Sequence, residues 1–369
     1  MRRRSFALAL AATTLAFPAL AASASIRLTD VLGRTVELRK PAERAVVSFY
    51  FEELTAAAGA DVWDRVVGIS RLHWEGWRSA SWKRYVAAVP RLASLEDVGS
   101  TEANNFSVEK VLALRPDLLI LPIWAYEPLG SALAPVEAAG IPILVVDYNA
   151  QKLENHLRST VLLGAVFGRA ERAEKLAAEY RAVYEDTIAR ARRQPGPAPK
   201  VYVELAQAGP GTIGNSYKGT MWGAILDQLG AENLANGRLA SPWGPLNAEA
   251  VIAADPDVVF FAGSSWANRP EAVRTGFDAD PETTRASLRR YVEGRPAWQA
   301  IKAFREGRVH AIEHGLCRSL ADMAAIQYVA KALWPEAFAD VDPRATLARY
   351  YEKWLPVPFE GTWFLGLGS

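Results

Sequence analysis

The side chains with chemistry to offer in this 369-residue sequence are four histidines, one cysteine and twelve tryptophans. His73 and His314 fall in loops, His156 in a helical stretch and His310 in a strand-like run. Two imidazoles with Glu204 or Asp147 could ligate a metal ion. They come from separate segments without a ligand-spacing motif, so no metal site is assigned. A loop histidine of this kind reads as a hydrogen-bonding partner for a ligand. Cys317 lies close to His314 and Arg318, which could lower its thiol pKa. Nothing else completes a Cys-His pair, so it reads as a small buried residue. A single cysteine excludes an intrachain disulfide and a cysteine-held cluster. No Gly-x-Gly-x-x-Gly follows the first strand and no nucleophile elbow is present. The pattern is that of a protein that binds, not an enzyme.

The binding chemistry is aromatic and cationic. Tyr50, Arg71, His73, Trp74, Trp124, Tyr126, Tyr148 and Asn149 follow apolar strand-like runs in the first half. Glu204, Tyr217, Trp243, Trp266, His314 and Arg318 are placed comparably in the second. Aromatic faces hold large flat chelates, and arginine forks hold anionic ones. Trp74, Trp77, Trp82 and Tyr85 are spaced by 3, 5 and 3 residues, which also fits one buried helical face. Trp74 is assigned to the ligand and the other three to the core.

These loops need a scaffold, and a repeat supplies it. Phe106 to Pro122 reads FSVEKVLALRPDLLILP, and Leu246 to Ala262, 140 residues on, reads LNAEAVIAADPDVVFFA. Each copy is a short helix with a Glu near its start (Glu109, Glu249), then Pro-Asp, then a buried strand. A carboxylate in a helix's first turn favours the helix dipole. One α/β unit used twice predicts two lobes, with a ligand cleft between them.

The remaining elements agree. Ile26 to Leu38 alternates like a hairpin turning near Gly33 and Arg34. Ala45 to Phe49, Val66 to Ile69 and Ile141 to Val146 read as strands between helical segments, which indicates parallel βαβ units. Ligands of such sheets meet the loops at the strand C-termini. Gln151 to Arg193 is helical, with a break near Gly164 and Gly168. From Ala170 the helix would extend about 36 Å, enough to lie across both lobes. Pro195 to Pro199 ends it and opens the second lobe. The division is therefore residues 25–150, a helical region 151–194, and residues 195–369.

Residues 1–24 read as a secretory signal: Arg2-Arg3-Arg4, an apolar run from Phe6, then Ala-x-Ala options at Ala19 to Ala24. Arg3-Arg4-Ser5-Phe6 also resembles a twin-arginine signal, leaving Sec and Tat export both open. No cysteine succeeds it to carry a lipid, so a soluble periplasmic protein is expected. A net charge of +1 gives no electrostatic case for nucleic acid.

In this order, several segments resemble the periplasmic substrate-binding proteins of iron-siderophore, haem and cobalamin ABC importers. They are Thr29 to Val36, Arg65 to Ile69, the two Glu-to-Pro-Asp units, Gly140 to Asp147, and Trp298 to Ala303 with Gly307 to His310. The resemblance implies two Rossmann-like lobes joined by one long helix. It implies a monomer that carries a metal chelate to an inner-membrane ABC permease dimer and holds no resident cofactor. Glu109 and Glu249 match the positions whose carboxylates salt-bridge to permease arginines in the cobalamin binder. Trp243, in Ser241-Pro242-Trp243-Gly244-Pro245, resembles a Pro-Trp element that stacks on cobalamin. A ferric siderophore is the expected cargo, with haem or cobalamin as the alternative. An axial haem ligand could come from Tyr50, His73 or His314.

Overall fold

The computed structural model describes residues 25–368, so the proposed signal lies outside the described residues. The hairpin forms as expected, with β1 (Ile26–Thr29) antiparallel to β2 (Thr35–Leu38). Its turn is held by Asp30, whose carboxylate accepts from the Leu32 and Arg34 amides and pairs with the Arg34 guanidinium.

The first lobe is a five-stranded parallel sheet. Its strands are β3 (Ala45–Val47), β4 (Val66–Ile69), β5 (Glu96–Asp97), β6 (Leu118–Pro122) and β7 (Ile143–Val146), in the order β5-β4-β3-β6-β7. The second lobe continues with β8 (Lys200–Leu205), β9 (Asn215–Tyr217), β10 (Glu232–Asn233), β11 (Trp243–Pro245), β12 (Val258–Gly263), β13 (Val309–Glu313) and β14 (Phe364–Gly366). Its main sheet runs β10-β8-β12-β13-β14, parallel except for β14, while β9 and β11 form a separate antiparallel ribbon. In both sheets the first strand lies beside a strand added on the opposite side, β3 beside β6 and β8 beside β12. That reversal opens a crevice at the strand C-termini.

Both copies of the repeat are built alike. Ser107 and Asn247 cap helices Val108–Ala113 and Ala248–Ala254 by accepting from the amides of Lys110 and Ala250, each at 3.1 Å. The Pro-Asp aspartates then tie the next strand to the first strand of the lobe. Asp117 accepts from the Glu43 and Arg44 amides, and Asp257 accepts from that of Lys200.

Side chains of a strand alternate between faces, so each sheet feeds two cores. Val46, Leu119, Leu121 and Val145 pack on the outer face of the first lobe. Tyr202, Val259, Phe261 and Ala311 do the same in the second. The inner faces share one continuous core that includes Val47, Ile120, Val203, Phe260 and Ile312. Helix Ala170–Arg192 contributes Leu176, Tyr180 and Tyr184 to it. The chain turns before that helix at Gly168, which has φ +74°. Gly164 instead lies inside helix Leu153–Ala165, where a Cβ would stand 2.3 Å from that of Ala173. It permits close helix packing and is not part of the break.

The C-terminal segment makes a second crossing. Helix Pro343–Trp354 leaves the second lobe and packs against helix Phe51–Ala58 of the first. Arg172 donates to the Trp354 carbonyl at 3.0 Å, and Lys353 pairs with Glu179. The chain then returns to the second lobe as β14. On the way, Glu360 and Asp278 both pair with Arg84 of helix Ser79–Ala88, at 3.2 and 2.9 Å.

Candidate functional site

The site is built from the loops at the C-terminal ends of β3, β4 and β6 on one side and of β12 and β13 on the other. Ser48 and Phe49 come directly after β3, and Trp124 comes just after β6. The chain after β4 forms a wide turn in which the Trp77 amide reaches back five residues to the Leu72 carbonyl at 2.9 Å. Phe49, His73, Trp77 and Trp124 make one aromatic wall. Ring centroids are 5.0 Å apart for Phe49 and Trp124, and 4.8 Å for His73 and Trp77. Within the wall the His73 ring is buried, with Nδ1 2.8 Å from the Ser48 carbonyl and Nε2 2.6 Å from Glu102.

The second lobe faces this wall with the turn His314–Arg318, which Glu313 caps by accepting from the Leu316 amide. Arg318 reaches across the lobes, its guanidinium carbon 5.4 Å from the Phe49 ring centroid and 5.5 Å from that of Trp77. Among the described residues no carboxylate lies within 4.0 Å of it, and its buried Nε has no hydrogen-bond partner. Burial and the neighbouring Arg78 charge lower its pKa from the usual arginine value. Arginine nevertheless stays protonated in proteins. Arg78 is itself compensated by Glu52 at 2.8 Å and donates to the Gly315 carbonyl of the opposite lobe at 3.3 Å. His314 stacks on Tyr217, and Trp266 tilts against it at 6.2 Å. Trp243 pairs across the β9–β11 ribbon with Tyr217 and is 56% exposed, a large apolar side chain left in solvent.

The sequence-assigned residues thus divide. His73, Trp124, Tyr217, Trp266, His314 and Arg318 lie in the two facing walls, and Trp243 stands exposed on the ribbon opposite Tyr217. Trp74 does not: it is fully buried, stacked on Phe51 at 4.7 Å and packed against Trp63 and Tyr85. The wide turn adds a residue to the helical count and swings Trp77, not Trp74, toward the cleft. Trp74→Ala should therefore cost about 3–5 kcal/mol of stability in urea unfolding, as for other buried aromatics. The folded variant should keep its ligand affinity.

Arg71 is turned away, donating to the Ala93 and Leu95 carbonyls and pairing with Glu75. Tyr126 packs with the outer core of the first lobe, under the Arg34 guanidinium at 4.3 Å. Tyr148 and Tyr50 are buried one layer below the walls. The Tyr148 hydroxyl lies 3.0 Å from that of Thr160, and the Tyr50 hydroxyl donates to Asn149 at 2.8 Å. Glu204 is sealed in a bidentate pair with Arg295, both contacts 2.7 Å. Phe49, Trp77 and Arg78 join the walls without a sequence assignment to the ligand. The place of Phe49 directly after a buried strand is the one signal that could have found it.

The other reactive side chains are occupied elsewhere. His156 Nε2 lies 2.9 Å from buried Asp322, and His310 Nδ1 lies 2.9 Å from the Tyr328 hydroxyl. Burial lowers the His310 pKa to about 4 and pushes the Cys317 thiol pKa up. Among the described residues no three His, Cys, Asp or Glu side chains are grouped to hold a metal ion. Glu109 and Glu249 stand exposed in the first turns of their matching helices, one per lobe.

A family model described as periplasmic binding protein matches residues 46–314, from β3 to the start of the turn that carries Arg318. The chain belongs to that family. FepB from Veillonella parvula, a TroA-like periplasmic binding protein, is 35% identical, with a TM-score of 0.88 over 93% of this chain and 99% of its own. The molybdate-binding protein MolA of Haemophilus influenzae is 23% identical over 96% of both chains. Its molybdate-bound crystal structure superposes with a TM-score of 0.67 over 91% of this chain and 99% of that one. An uncharacterized ABC transporter substrate-binding lipoprotein, YvrC of Bacillus subtilis, is 21% identical over 85% of this chain and 87% of its own. This family member is accordingly the substrate-binding component of an ABC transporter, in a family of transport proteins and not of enzymes.

Proposed function

We propose that this binding protein captures an anionic metal chelate of the ferric-siderophore kind between its lobes and delivers it to an inner-membrane permease. The observation that carries the reading is Arg318, a half-buried guanidinium with its Nε unpartnered and no carboxylate within 4.0 Å, held over two aromatic rings of the opposite lobe. A partly desolvated cation without a close partner costs free energy in the empty protein. An anionic cargo supplies the missing partner, and the aromatic wall supplies a face for its organic part. Exposed Trp243 at the rim supports a cargo large enough to cover it.

A second reading, a compact oxyanion such as molybdate, is favoured by the likeness to MolA. Tryptophan quenching by ferric hydroxamates, ferric catecholates, haem, cobalamin and molybdate separates the readings. Saturable one-to-one quenching by a ferric chelate is the expected result. A response to molybdate alone moves the cargo to oxyanions, and one to haem or cobalamin alone moves it to tetrapyrroles. In the chelate reading, Trp243→Ala should weaken binding by about 1–3 kcal/mol. Unchanged affinity would remove Trp243 from the site.

Glu109 and Glu249 are proposed as the two-point dock on the permease dimer. One exposed carboxylate at the same place in each lobe supports this, since rim charges fix register and association rate.

A further inference from the structure

We infer that His314 is a tautomer-locked hydrogen-bond donor that selects cargo through an anionic oxygen and turns away bare metal cations. The inference rests on the cleft being the cargo site, and it explains what a histidine does there when metal ligation is the obvious alternative.

The lock is Trp222. This residue is buried in helix Met221–Leu229, and its indole Nε1 donates to His314 Nδ1 at 3.3 Å. An indole N–H can only donate. Nδ1 must therefore present its lone pair, and in a neutral ring the proton sits on Nε2. Neutrality is imposed by the surroundings: burial and the charges of Arg318 and Arg78 hold the His314 pKa well below the ordinary histidine value. Stacking on Tyr217 and the tilted face of Trp266 fix the ring plane. Among the described residues no partner takes Nε2, although Nδ1 is engaged.

This lock discriminates between kinds of cargo. A metal ion at Nε2 needs the lone pair there, which would move the proton to Nδ1 and set it against the Trp222 N–H. Two donors would then face each other in a buried place, which leaves both unsatisfied. An anionic oxygen needs no such change, because Nε2–H already points a proton outward. His314 and Arg318 stand four residues apart in one short turn, so the second lobe offers two donors and no metal ligand to the same cargo.

The first test needs no ligand. Two-bond proton–nitrogen spectra of the ¹⁵N-labelled mature protein at neutral pH should show one imidazole that His314→Gln removes, protonated at Nε2 only. Trp222→Phe should convert it to a mixture of tautomers. A ring protonated at Nδ1, or at both nitrogens, in the unsubstituted protein overturns the lock.

The second test titrates molybdate and the ferric complex of 2,3-dihydroxybenzoate. His314→Leu should weaken whichever probe binds by roughly 10- to 100-fold, the range for a hydrogen bond to a charged group. His314→Gln, whose amide reaches as far as Nε2, should recover most of the affinity. Leu binding as tightly as His overturns the donor role. If the unsubstituted protein binds neither probe nor any member of the wider panel, the receptor reading fails. The nitrogen spectrum still decides the lock.

Discussion

Replacing Arg318 by Met should weaken cargo binding by about 2–5 kcal/mol, a loss of roughly 30- to 4,000-fold. The same substitution should make the empty protein more stable. Both outcomes come from one observation: the half-buried guanidinium lies over Phe49 and Trp77, its Nε is buried without a partner, and no carboxylate lies within 4.0 Å of it. Truncating a partly buried charge that the cargo would pair with removes the contact and strands the cargo's charge. In the empty cleft, methionine fills similar volume and has no charge to desolvate. Lysine should fall between, since it keeps the charge but not the planar fork. The checks are equilibrium binding and thermal unfolding without ligand. A variant less stable than the parent that still binds tightly would show that Arg318 is a structural strut.

Glu109→Ala combined with Glu249→Ala should leave binding intact and abolish uptake through the permease. Each carboxylate is exposed, and neither takes part in a salt bridge among the described residues. Losing one removes a helix-dipole interaction of about 0.3–1 kcal/mol and little else from the folded protein. Stability is therefore expected to change little while transport collapses. Single variants should retain partial transport if each lobe contacts one half of a two-fold permease. The measurement is cargo uptake into vesicles containing the permease, with binding measured in parallel. Full uptake by the double variant would show that the permease docks elsewhere.

The architecture was legible because it was written twice. Two copies of helix, Pro-Asp and apolar strand mark equivalent places in two sheets, and both aspartates hold the first strand of their own lobe. The loops that carry the site were legible too, since parallel sheets present strand C-termini to ligands. Which side chain of a loop faces the cleft was less so. Trp74 and Trp77 differ by three residues and would share a helical face, but the Leu72–Trp77 turn rotates them apart. Arg71 sits in a site-bearing loop, yet it satisfies carbonyls of the 93–95 turn, which no local pattern announces. The orientation of Arg318 depends on a wall contributed from more than 200 residues earlier in the chain, so no sequence window contains it.

The two crossings between the lobes also limit how the molecule can move. A beam fixed at one point swings freely, whereas a beam on two separated supports can only twist or flex between them. Helix Ala170–Arg192 is one support, and helix Pro343–Trp354, bound through Arg172 and Lys353, is the other. Wide scissor-like opening would have to break the second support as well as the core that both lobes share. The short turns that carry Trp77 and Arg318 belong to neither support. Cargo would then leave when the permease pries those turns apart locally, with the frame acting as the fixed jaw it pushes against.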